Sequence, residues 1–378
     1  MRTRLCQLSA WVFAVMMTVS MFAGAENEKA PEPAPKIMRF VERALAWYPN
    51  SQYELVSNTR VQIASGSYRI VEVSRTCASR LLTGKPTVVV DENADRVYLG
   101  SVGELPPLVD AGVGPDALRS FLENFLPDAL NASMGIRVKI EWDAGPRRPG
   151  ALIPFFLVVD TGYGSYRRQA AVTADGKYLV MAAGMPLGED PVSYHRRQLA
   201  ESDLVIWDTE GDGKPTVEIV EFSDLECPAC RGKWPIVNSV LHKYPHMIRH
   251  GMVSYPLTSI HPWAFRAASA SWCVALQNPH DLIPFKETFY SLQREMEVAL
   301  VTQTAVDFVA GRGLDEGAFR ECYLRPPSID AVHRQLSLGQ SMGISATPTY
   351  YVNGWRIQVP DPSWFPAFVE RLINGEEP

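Results

Sequence analysis

Cysteine is scarce in this chain, with six in 378 residues. Cys6 lies in a segment that reads as a removable leader, which leaves Cys77, Cys227, Cys230, Cys273 and Cys322. So small and odd a set excludes a fold that depends on a dense disulfide framework. Basic clusters are also missing. Lys and Arg are scattered and the formal net charge is −6, which excludes the electrostatic footprint of nucleic-acid binding. Long apolar runs are confined to the N-terminus, and no later segment is long enough to span a bilayer. What is present is 46% hydrophobic residues, enough for two or three domains with separate cores.

Arg2 and Arg4 precede "LSAWVFAVMMTVSMF", which stops at Ala23, Gly24 and Ala25, an Ala-x-Ala form of processing site. The expectation is a signal peptide over residues 1–25 and a periplasmic or otherwise exported mature chain from near Glu26. The other reading is an uncleaved N-terminal anchor, since the run approaches the ~18 residues that span a bilayer. The small-residue site, without basic stop-transfer residues, favours cleavage. Export permits disulfides.

A Pro-rich spacer over residues 26–36 reads as extended chain. Beyond it the most distinctive pattern is a repeat at an offset of about 80 residues. "FVERALAWYPN" (Phe40 to Asn50) aligns with "FLENFLPDALN" (Phe121 to Asn131), both with helical apolar spacing. "VVDENADRVYLG" (Val89 to Gly100) aligns with "AVTADGKYLVMA" (Ala171 to Ala182), each a strand, an Asp-containing turn and a strand. This predicts two tandem α+β units, a helix followed by antiparallel sheet, over residues 37–110 and 111–190. A linker follows over 191–214, ending in the Gly-rich "EGDGKP". From residue 215 the pattern alternates strand, helix, strand, then turns helix-rich over about 262–342. It closes with two strands and a helix.

The chemistry sits in "EFSDLECPAC". Cysteines at i and i+3 share a face when the first begins a helix, and Pro228 suits a first helical turn. Unpaired amides and the helix dipole then favour a Cys227 thiolate, while Cys230, one turn inside, is the shielded resolving thiol. A structural zinc site needs about four ligands, and one CxxC supplies two. A purely structural bond across so short a loop removes little chain entropy. Redox exchange is the favoured reading. In the preceding strand Val217, Ile219 and Glu221 share one face, so Glu221 is predicted to be buried with a raised pKa, suited to accept a proton from Cys230. The alternative is an exposed edge glutamate.

With "GISATPTYYVNG" downstream, "EFSDLECPAC" resembles the exported DsbA-like disulfide oxidoreductases of the thioredoxin-fold family. The resemblance covers roughly Thr216 to Ile373. It implies an α/β thioredoxin fold with a helical insertion, Pro348 as the cis-proline that holds substrate backbone, and Thr347 as its specificity-setting neighbour. It also implies a buried acid at Glu221 and, as in some family members, a structural disulfide between Cys273 and Cys322. His261, in "SYPLTSIHPWAF", either flanks the site or caps a helix. Cys77 has no evident partner. "AVTADGKYLVMAAG" also resembles the dimerisation domain of exported disulfide isomerases; two such units in one chain would form internally what an isomerase makes by dimerising.

The expected function is a thiol-disulfide oxidoreductase on cysteine-containing protein substrates, leaning to dithiol oxidase. It would use no organic cofactor and no metal. A redox partner, soluble or membrane-bound, would reset the pair. The alternatives are a disulfide isomerase or reductase, and a chaperone-like binding module with secondary redox chemistry.

Overall fold

The computed structural model describes residues 35–63, 65–106, 115–134, 137–143, 152–182, 184–208 and 215–378. The expected signal peptide, most of the spacer and all of "EGDGKP" but Pro215 lie outside them. The chain divides into two compact units, one of residues 1–42 and 50–190, the other of residues 43–49 and 191–378. Among the described residues no helix is long and apolar enough to cross a membrane.

Alternating burial builds the N-terminal unit. Helix α1 (Pro35–Ala44) leads into β1 (Gln52–Ile63), β2 (Gly66–Thr76), β3 (Thr87–Asp91), β4 (Arg96–Leu99) and β5 (Ser101–Glu104). Helix α2 (Pro115–Met134) leads into β6 (Val138–Trp142), β7 (Leu152–Asp160), β8 (Ser165–Thr173), β9 (Tyr178–Met181) and β10 (Gly184–Pro186). One sheet runs β1-β2-β3-β4-β10 and the other β6-β7-β8-β9-β5, so the two halves exchange their fifth strands. Tyr98 pairs with Gly184, and three residues along each strand Ser101 pairs with Met181. The two short ladders therefore keep one register, and both segments, β4 to β5 and β9 to β10, change sheet between them. At the crossing only Gly100 fits, because a Cβ there would stand 2.7 Å from the Ala182 Cβ. Tyr68, Ile70, Val89 and Tyr98 of the first sheet share a core with Leu152, Ala171 and Val180 of the second. Leu118, Leu122 and Leu126, at helical spacing on α2, bury against Phe155, Leu157 and Val172.

Two boundaries differ from the sequence expectation. The first predicted helix, Phe40 to Asn50, is α1 and stops at Ala44. Beyond it Trp47 packs in tilted contact against Trp364 and Phe368, and its amide donates to the Arg356 carbonyl at 2.7 Å, which draws this segment onto the C-terminal unit. The expected linker over 191–214 is folded where described. It forms α3 (Pro191–Ala200) and β11 (Ile206–Trp207), because Val192, Leu199, Leu204 and Val205 are apolar and buried. The His195 ring also contacts the Gly354 carbonyl at 3.2 Å. Strand β1 was not foreseen, since its polar residues alternate with only partly buried ones.

In the C-terminal unit, β12 (Val217–Ser223) leads through α4 (Pro228–Lys243) to β13 (Ile248–Ser254). The insertion follows as α5 (Ala264–Gln277), α6 (Leu282–Leu292), α7 (Val301–Gly311), α8 (Glu316–Cys322) and α9 (Pro326–Ser341). Then β14 (Thr349–Val352), β15 (Trp355–Ile357) and α10 (Phe365–Ile373) close the unit. The sheet order is β11-β13-β12-β14-β15, with β12 and β13 parallel and β14 antiparallel to β12. This central β12 carries the chain to the site. Its buried Val217 and Ile219 pack with Trp234 and Val237 of α4 and with Phe285 and Phe289 of α6.

Candidate active site

Asp224 shapes the turn out of β12. Its Oδ1 accepts the Glu226 amide at 2.9 Å and its carbonyl accepts the Cys227 amide at 3.0 Å. Cys227 is the extended N-cap of α4, with Pro228 in the first turn. Both Cys227 and Cys230 are free thiols; Cys227 is 6% exposed and Cys230 fully buried. A cis peptide bond joins Thr347 to Pro348, and the Thr347 carbonyl lies 3.5 Å from the Cys227 Sγ. Cys227, Cys230, Thr347 and Pro348 thus meet from two ends of the unit, because β14 pairs with β12.

The two thiols are driven apart electrostatically. A hydrogen bond with Cys230 outweighs burial and, with Thr347 and the Cys230 and Ala229 amides, lowers Cys227 to about 6. Burial, and then Cys227 itself and Glu221, push Cys230 well above the ordinary thiol value. One sulfur is therefore a nucleophile at neutral pH and its neighbour a protonated reserve.

Glu221 is buried on the expected face, but its charge state corrects the sequence reading. Burial alone would raise the carboxyl. The Lys286 ammonium, 2.8 Å from Oε2, and His250 override burial and hold Glu221 down to about 2. His250 is itself lifted: burial lowers it, but Asp208 at 2.8 Å raises it on balance. Asp208, His250, Glu221 and Lys286 form a buried row of alternating charge, so no single ion is left uncompensated. Glu221 Oε1 and the Tyr350 hydroxyl are buried without a hydrogen-bond partner among the described residues.

Helix α6 was foreseen as part of the insertion but not as part of the site. Lys286 reaches Glu221, the Tyr290 hydroxyl meets the Ser223 hydroxyl at 3.0 Å, and Gln293 Nε2 donates to the Leu225 and Cys227 carbonyls at 2.8 and 3.1 Å. These three lie at i, i+4 and i+7, the last at the C-cap of the helix, so one buried polar stripe follows the strand toward the cysteines. That spacing within "LIPFKETFYSLQ" was the available signal.

His261 Nδ1 lies 2.6 Å from the buried Asp224 Oδ2, at the same turn as Cys227. Cys273 and Cys322 are joined, S–S 1.96 Å, across 49 residues. Cys77 is a half-buried free thiol 3.4 Å from the Ser79 carbonyl. Among the described residues no His, Cys, Asp and Glu cluster could hold a metal ion.

Residues 208–371 match the family model described as Thioredoxin. The chain is 30% identical over 150 residues to the Na(+)/H(+) antiporter NhaA 3 of Salinispora tropica, covering 39% of this chain and 21% of the antiporter. It thus spans about a fifth of the length of such curated relatives. Among solved structures it is similar to alpha-DsbA1 of Wolbachia pipientis (18% identity, TM-score 0.39, 45% of this chain and 92% of that one). It is also similar to ScsC of Proteus mirabilis (15% identity, TM-score 0.41, 49% and 80%).

Proposed function

We propose that this chain, whose residues 208–371 form a thioredoxin-family domain, is an exported thiol-disulfide oxidoreductase acting on cysteine-containing proteins. The observation that carries the reading is the split between two thiols one helical turn apart, Cys227 lowered to about 6 and Cys230 raised. In the reducing direction the Cys227 thiolate attacks a substrate disulfide and expels one substrate thiolate. Cys230 then loses its proton and attacks Cys227 in the mixed disulfide, releasing the second substrate sulfur and leaving the pair oxidised. Run backward, two substrate thiols surrender two electrons and two protons to the oxidised pair and leave joined.

We lean to the oxidising direction. A stabilised Cys227 thiolate is a good leaving group, and stabilising the reduced form makes the oxidised form a stronger oxidant. A redox partner, soluble or membrane-bound, then resets the pair. Glu221, held to about 2 by Lys286 and His250, is too weak a base for the acceptor role expected of a raised carboxyl, and its charge instead helps keep Cys230 protonated. Thr347 and Pro348 hold the substrate backbone, and the Cys273–Cys322 bond is structural. For residues 37–190 the reciprocal exchange of β5 and β10 supports duplicated units that pair within one chain, as a platform for substrates. The resemblance of "AVTADGKYLVMAAG" to isomerase dimerisation domains, together with Thr347 before Pro348, which is similar to the isomerases, keeps an isomerase or reductase as the second reading. A chaperone-like binding module with secondary redox chemistry is the remaining one.

The test is the in-cell redox state of Cys227 and Cys230, read by acid quenching and mass-tag alkylation in a Cys77→Ser background after fractionation of exported proteins. A mainly oxidised pair is expected. A mainly reduced pair moves the assignment to isomerase or reductase, and a Cys227→Ser variant with full function moves it to a binding module.

A further inference from the structure

We propose that His261, held by Asp224, adds a cation to the hydrogen bonds that already favour the Cys227 thiolate: its imidazolium stabilises that thiolate further and strengthens the oxidised pair as an electron acceptor. This rests on the oxidoreductase reading above. The residues between the cysteines, Pro228 and Ala229, carry no charge, so a cation acting on Cys227 has to come from elsewhere in the fold.

Asp224 brings one. Its buried carboxylate accepts His261 Nδ1 at 2.6 Å and the Leu257 amide at 2.8 Å through Oδ2, and the Glu226 amide at 2.9 Å through Oδ1. Its carbonyl accepts the Cys227 amide at 3.0 Å. One residue therefore clamps the ring and the nucleophile's backbone together. The His261 side chain keeps 13% of its exposure, so its proton can exchange with solvent. The ionisable groups that face it are Asp224, Glu226 and Cys227. The Asp224 hydrogen bond raises His261, burial opposes this, and the charges of Asp224, Cys227 and Glu226 add to the rise.

The sign follows from these charges. Glu226 is engaged by the Trp263 amide at 2.6 Å and stays beside the site. With His261 neutral, the cluster it shares with Cys227 holds two carboxylates, Asp224 and Glu226; with His261 protonated, one of them is cancelled, and a thiolate is easier to form. A raised imidazole keeps its proton to higher pH than an ordinary one and loses it as pH climbs past its folded value. In the oxidising direction the cation acts when a second substrate thiolate attacks the mixed disulfide. The S–S bond to Cys227 breaks, its electron pair stays on Cys227, and the imidazolium stabilises that leaving thiolate.

The experiment uses the full mature chain and measures the pH profile of iodoacetamide alkylation of Cys227 and the equilibrium of the pair with glutathione. His261→Gln keeps an amide donor for Asp224 and removes the charge. It is expected to move the Cys227 midpoint up by about half to one unit, about 3- to 10-fold less thiolate below that midpoint, and to make the pair less oxidising. His261→Lys, which restores a cation, is expected to reverse both. A folded His261→Gln protein with the wild-type midpoint and glutathione equilibrium overturns the proposal and leaves His261 as a loop tie. A wild-type pair that does not exchange with glutathione at all sinks the oxidoreductase reading instead. Should His261→Gln fail to fold, NMR titration of the wild-type His261 ring decides. A midpoint above the ordinary ~6.5 that shifts when the pair is oxidised supports the proposal, and an ordinary midpoint without response overturns it.

Discussion

Lys286 Nζ lies 2.8 Å from Glu221 Oε2 with both side chains out of solvent, and 3.2 Å from the Trp234 ring centroid. An insertion helix thus supplies the counter-charge for an acid on the central strand. Removing only the cation strands a buried carboxylate, so Lys286→Met should cost about 3–5 kcal/mol of stability at neutral pH. Adding Glu221→Gln to it should recover part of the loss in urea unfolding. Equal losses in the single and double variants would disprove the coupling.

The same pair predicts an acid response. Glu221 is lowered from its ordinary carboxyl value to about 2, so the unfolded chain takes up the proton first as pH falls. The stability this group contributes is whole above its unfolded value and drains as pH falls toward 2. Urea midpoints measured across that range should fall more steeply in wild type than in the Glu221→Gln/Lys286→Met double variant.

Reduced protein should alkylate at Cys227 with a midpoint near pH 6, while Cys230 stays unreactive until far higher pH. Cys230→Ser should accumulate mixed disulfides with substrates, because the sulfur that resolves them is gone. Two cysteines that alkylate in parallel would contradict the division of labour between them.

Because β5 and β10 are exchanged within the chain, the mature protein should run as a monomer in light scattering after size exclusion. A stable dimer formed through residues 37–190 would count against internal pairing of the two units. Gly100→Val, which places a side chain against Ala182 and the Met181 carbonyl, should lower the melting temperature of the N-terminal unit and leave Cys227 alkylation unchanged.

The Cys273–Cys322 bond closes a separation of 49 residues. Its removal as a paired Ala substitution should cost about 4 kcal/mol by the chain-entropy argument. The exchange rate per folded molecule should remain, since neither sulfur touches the Cys227–Cys230 pair. A variant that stays folded but loses exchange would assign this bond a redox role.

Local rules were enough for much of this protein. Cys227 and Cys230 share a face because three residues make nearly one helical turn, Pro228 starts that helix, and period-two burial puts Glu221 on the core side of β12. Those features follow from backbone geometry and are written in short stretches of chain. The charge on Glu221 was not. Sequence spacing says that an acid is buried, but its protonation depends on which cations lie beside it, and Lys286 and His250 arrive from other elements. The exchanged strands β5 and β10 and the folding of residues 191–208 onto the C-terminal sheet were likewise decided in three dimensions. Strand partners and counter-ions are chosen by long-range packing, and no local period encodes them.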